Sequence, residues 1–106
     1  MVISRPKKKD GLLAVIHGCI RTGRYRDTSH ARQRQKERLI ILPEIIHVLM
    51  NGAHEKSKDR FDPAFQEWNY AIRGKTVDGC ELRIIVSFER QTSLLIITAF
   101  ALSKKE

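Results

Sequence analysis

The chain has 106 residues, with 20 Lys and Arg against 12 Asp and Glu for a net charge of +8, and its apolar content is ordinary for one globular domain. That composition excludes a disordered or fibrous chain, and no apolar run approaches the roughly 20 residues needed to span a bilayer. Met1 to Asp10 holds no apolar run that could act as a signal peptide, so a soluble, cytoplasmic protein with no membrane partner is expected.

The excess charge is placed rather than spread. Eleven Lys and Arg face three Asp and Glu in the first 38 residues, while residues 39 to 106 hold nine of each. One end of the chain is therefore built to meet an anion. Cys19 and Cys80 are too far apart for a redox pair or a zinc cluster, and two reduced, packed thiols are expected. His17, Cys19, His47 and His54 do not fall into close local pairs, so no metal and no other cofactor is expected.

In chain order, residues 1–9 with Ser4-Arg5-Pro6-Lys7-Lys8-Lys9 read as a flexible basic arm, and residues 10–106 as a single domain. Asp10 can cap a helix running to about Thr22, with Leu12, Ile16, Cys19 and Ile20 on its apolar stripe and Gly23 ending it. His17 is expected to be a packed or boundary residue of this helix. Tyr25 to Thr28 suits a short edge strand, and Thr28 or Ser29 a cap for a helix over His30 to Arg38. That helix has almost no apolar face beyond Ala31 and must be held down by its neighbours. Its i, i+4, i+8 positions, His30, Arg34 and Arg38, share one face. Pro43 to Met50 predicts a third helix, stopped by Asn51-Gly52.

From His54 the pattern becomes extended. A weak strand at Glu55 to Phe61 precedes Trp68 to Arg73, Asp78-Gly79 marks a hairpin, and Leu82 to Phe88 alternates. Leu94 to Leu102 is apolar on both faces, which predicts a central or covered strand and would also suit a homodimer. Helices followed by a meander predict an α+β fold, with the N-terminal helices packed on one face of a four-stranded antiparallel sheet.

His30, Ala31, Arg34, Arg38 and Ile40 fill the pattern HAxxRxxxRxI, and the Pro43 to Gly52 helix, the Trp68 to Gly74 strand, Asp78-Gly79, Leu82 to Val86 and Ile96 to Phe100 follow it in order. This set resembles a family of small bacterial domains of unassigned function, over about residues 25 to 102. That family is similar to the RelE/BrnT-like toxin superfamily, whose members pack helices on an antiparallel sheet and often cut RNA without metal. Where the family usually has Met after the first Arg and Gly after the second, this chain has Gln35 and Leu39, and against the family residues 10–24 would be an N-terminal helical extension.

The resemblance implies a toxin-like endoribonuclease, RNA as substrate with or without the ribosome, and an antitoxin partner. His30, Arg34 and Arg38 would be the catalytic group. Metal-free cleavage needs a base for the 2′-OH, cations for the phosphorane and an acid for the leaving oxygen. An imidazole such as that of His30 can serve as base or acid, and the arginines can fork onto a phosphate. Arg32, Arg73 and Arg83 would bind RNA or its phosphates. A plainer reading stands beside this one: a solvated helix face paired with Glu37 or Glu44, salt-bridged strand arginines, and a module that binds nucleic acid or protein without cleaving.

Overall fold

The computed structural model describes residues 5–90 and 92–102. Three helices, α1 (Leu12–Arg21), α2 (Ser29–Arg38) and α3 (Leu42–Asn51), combine with strands β1 (Tyr25–Asp27), β2 (Ala53–His54), β3 (Arg60–Asp62), β4 (Glu67–Lys75), β5 (Glu81–Glu89) and β6 (Ser93–Ala101). The domain is α+β, as expected. The sheet is mixed and larger than the four-stranded antiparallel one predicted. Its order is β1-β6-β5-β4-β2, with β3 also paired to β4.

The antiparallel β4-β5-β6 meander was readable because its strands are nine residues long and alternate. The additions were not. β1 pairs parallel to β6 across most of the chain length, and a three-residue strand carries no period-2 pattern of its own. β6 lies between β1 and β5, the central position expected; its Leu94, Ile96 and Ala99 are buried, whereas Leu95 and Ile97 are only partly buried.

The predicted strand at Glu55 to Phe61 is instead broken by a 3₁₀ turn at Lys56–Lys58. Side-chain chemistry replaces the ladder there: Ala71 N–H donates to Asp59 Oδ1 at 3.0 Å, and Glu55 N–H donates to the Ala71 carbonyl at 2.8 Å. β2 and β3 therefore pair with β4 on either side of an excursion.

Apolar residues of α1 and α3 pack on one face of the sheet, where Ile16, Ile45, Val48 and Leu49 meet Ile72, Ile84, Val86 and Ile96 with all eight fully buried. Gly11, not Asp10, occupies the N-cap of α1, at φ 59° and with no side-chain bond. Gly52 ends α3 against the β4 backbone. A Cβ there would lie 2.6 Å from the carbonyl oxygens of Arg73 and Val48, and one on the facing Gly74 would lie 2.9 Å from the Gly52 Cα.

Of the basic arm, residues 1–4 fall outside the described residues, and residues 5–9 lie against the sheet. Trp68 Nε1 donates to the Pro6 carbonyl at 2.8 Å, Lys9 N–H donates to the Tyr70 hydroxyl at 2.9 Å, and Arg5 stands 5.8 Å from the Trp68 ring. Proline and charge keep this segment out of the core but suit it to covering aromatic faces. No helix among the described residues is long and apolar enough to cross a membrane.

Candidate nucleic-acid interface

Helix α2 needs outside support, and it obtains it at both ends. Thr28 Oγ1 accepts from Ala31 N–H at 3.0 Å, and Thr28 N–H donates to the Ile96 carbonyl at 3.2 Å. At the other end Arg38 donates to the Ala99 carbonyl at 2.7 Å and to Thr98 Oγ1 at 3.2 Å. Those β6 groups lie past the three residues that β1 covers. Ala31, fully buried, lets the helix approach. Arg38 thus fastens α2 to the sheet and brings a guanidinium to its open face.

The strand register sets what else stands on that face. Arg83 is opposite Phe100 on one side and Arg73 on the other, on the parity opposite to buried Ile72, Ile84 and Val86. Phe100 becomes the meeting point. The Arg38 guanidinium lies 5.7 Å and that of Arg83 5.5 Å from its ring centroid. Beside it opens a cavity of about 400 Å³ lined by Lys58, Arg60, Asn69, Arg83, Ile85 and Phe100. Lys58 and Arg60 have no acidic partner among the described residues.

Arg73 and Arg83 are directly opposed like charges, an unfavourable cross-strand pair unless something lies between them. Glu55 does. Its Oε1 accepts from Arg83 Nε at 2.5 Å and its Oε2 from Arg73 Nη1 at 3.2 Å. Hydrogen bonding from Arg83, then from Arg73, holds the Glu55 carboxyl down to about 2 against the cost of burying it. Arg73 is bound by Glu81 as well, and that bond first, then Glu55, raises its own value. Arg83 therefore keeps one edge toward the Phe100 cavity, whereas Arg73 is occupied by two carboxylates.

The six arginine and histidine positions singled out by sequence separate into four places. Arg38, Arg83 and, through Glu55, Arg73 come together. Arg34 pairs with Glu37 at 2.9 Å and lowers that carboxyl, Gln33 adding to the effect. Arg32 lines a shallow cavity with Lys36, Leu39 and Ile41. His30 is exposed and contacts none of the arginines among the described residues. The shared face of His30, Arg34 and Arg38 is accordingly split by the partners each side chain finds.

Phe100, Lys58, Arg60 and Glu55 were missed. Phe100 was hidden in an apolar run, and only the hairpin register, which sets it across from Arg83, distinguishes it from core. Lys58 and Arg60 fall in the weak strand expected at Glu55 to Phe61, where the chain instead makes a 3₁₀ turn over Lys56–Lys58 and starts β3 at Arg60.

Comparison with curated proteins and with solved structures finds no match. A family model does match, over residues 28–101, and it takes in α2, α3 and every strand except β1. The Arg38, Arg83 and Phe100 cluster lies inside that span, while α1 and the seated arm precede it. This chain belongs to the family described as "Domain of unknown function (DUF4258)".

Proposed function

We propose that the open face of the sheet binds RNA, and that the domain acts on it as a toxin-like endoribonuclease that needs no metal. One observation carries the reading: two guanidiniums from separate elements, Arg38 and Arg83, converge on the ring of Phe100 beside a cavity with Lys58 and Arg60. Phosphates are held by forked cations, and unpaired bases stack on exposed aromatic rings, so an aromatic ringed by cations fits a single strand better than it fits a small apolar ligand.

In the cleavage step the 2′-OH attacks the neighbouring phosphate, its proton passes to His30, and the 5′-oxygen leaves with a proton from solvent or a returning imidazolium. Arg38 and Arg83 stabilise the phosphorane. The expected products carry a 2′,3′-cyclic phosphate and a 5′-hydroxyl. An antitoxin covering the cationic face belongs to the same reading.

A second reading, RNA binding without cleavage, is favoured by the separation of His30 from the arginine cluster. Purified wild type, His30→Ala and Arg83→Ala proteins incubated with total RNA at low and moderate salt separate the two. Cleavage lost in a folded His30→Ala protein supports the nuclease. Retained, salt-sensitive binding with no products in any variant supports the binding module. Affinity that does not change with salt overturns both.

A further inference from the structure

On the helix-covered side, at the sheet edge far from β1, lies a second cluster that the RNA reading does not use. His54 pairs in register with buried Ile72. Asp59 Oδ2 is 2.7 Å from His54 Nε2 and 2.9 Å from Lys8 Nζ, and the Asp59 side chain is 0% exposed. Its other oxygen is taken by Ala71 N–H. A carboxylate held this firmly fixes the imidazole. The proton of neutral His54 sits on Nε2, and Nδ1 is the nitrogen left for a ligand.

The His54 ring lines a cavity of about 510 Å³ together with Lys8, Lys9, Asp10 and Lys56, and the first turn of α1 forms its wall. Three lysines stand against two carboxylates, Asp10 and Asp59. The Lys8 and Lys9 ammoniums also stand 4.7 Å from the Trp68 and Phe88 ring centroids, so cations predominate in the lining. Tyr70, edge-on to His54 with ring centroids 5.9 Å apart, stays neutral because burial raises its phenol. A cavity lined by three lysines and an imidazole held in place by Asp59 matches a phosphate monoester. A monoester carries between one and two negative charges near neutral pH, and its oxygens accept charge-assisted hydrogen bonds.

We infer that the cavity formed by His54, Lys8, Lys9 and Lys56 is a second binding site, for a phosphate monoester. Lys8 and Lys9 precede the family match and His54 and Lys56 lie within it, so the site exists only where the arm is seated on the domain. It is independent of the RNA reading, because the phosphate can belong to an RNA end or to a small phosphorylated molecule.

The test follows the ring resonances of His54 and His30 by NMR in the full chain while inorganic phosphate replaces chloride at constant ionic strength. The expected result is a saturable shift at His54 alone, with affinity about tenfold lower in Lys56→Ala, whose lysine has no partner among the described residues. His54→Gln keeps a donor for Asp59 and is expected to melt as wild type does while binding phosphate about tenfold more weakly by calorimetry. Equal shifts at His30 and His54, or wild-type affinity in both variants, would overturn the site. A 5′-phosphorylated oligonucleotide that binds more tightly than its 5′-hydroxyl twin, by an increment lost in Lys56→Ala, assigns the monoester to RNA. Equal binding of the two, with phosphate still shifting His54, assigns it to a small molecule.

Discussion

Leu39 ends α2 in the left-handed region, at φ 57°, with 87% of its surface exposed. A leucine is strained there and packs against almost nothing in return, whereas glycine adopts the same angles freely. Leu39→Gly is therefore expected to stabilise the fold by about 1 kcal/mol, which raises the melting temperature of a chain this size by about 5 °C. Gln35, one turn earlier, has its Nε2 buried without a partner. Replacing it by methionine, similar in shape, removes an orphaned donor, and thermal melting should report a gain of about 1 kcal/mol. Leu39 and Gln35 are thus two positions at which this chain gives up stability. Glu55 titrates in the opposite sense to a buried acid. Its folded value is depressed from an ordinary 4.5 to about 2 by Arg83 and Arg73. Its contribution is full above pH 4.5 and is lost as pH falls toward 2. In Glu55→Gln that acid-dependent part of the stability curve should flatten, as followed by circular dichroism between those pH values.

Among elements, the junction of α3 with β4 is the least tolerant. Gly52→Ala places a methyl 2.6 Å from two carbonyl oxygens, and neither belongs to a movable side chain. A loss of about 2 to 3 kcal/mol is expected by urea denaturation, because the helix and strand must separate to admit it. That glycine was visible beforehand only as the Asn-Gly stop of a helix. Its packing role depends on Gly74, which is distant in sequence. The same division runs through the fold. Helices α1 and α3 and the three long strands could be read because each carries its own apolar period. Helix α2 could be read from its cap although it has no apolar face. The 53–62 stretch could not, since its pairing with β4 depends on the Asp59 side chain standing in for backbone. The site follows the same rule: Arg38 and Arg83 were nameable as cations, but the ring that gathers them, Phe100, depends on a register that only the folded hairpin supplies.

At the scale of the whole molecule, the net charge of +8 divides into charges already matched and charges left over. On the open face Arg73 and Arg83 are neutralised by Glu55 and Glu81. Arg38 is hydrogen-bonded to the sheet and, like Lys58 and Arg60, forms no ion pair among the described residues. Three cations are thus free to displace counterions. A single-stranded RNA bound at this face should show a slope of log affinity against log salt of about −2, since each neutralised phosphate contributes about 0.7. Glu55→Gln releases the guanidiniums of Arg73 and Arg83 toward the ligand while it removes the carboxylate that separates them. The variant should be less stable by about 2 kcal/mol yet bind RNA more tightly, with a slope steeper by about 0.7. Arg38→Ala should make the slope shallower by about the same amount. Fluorescence anisotropy of a labelled oligonucleotide across a salt series measures both. Glu55→Gln binding more weakly than wild type at every salt concentration would mean that Glu55 orients Arg83 for the phosphate rather than masking it, and the electrostatic account of this face would fail.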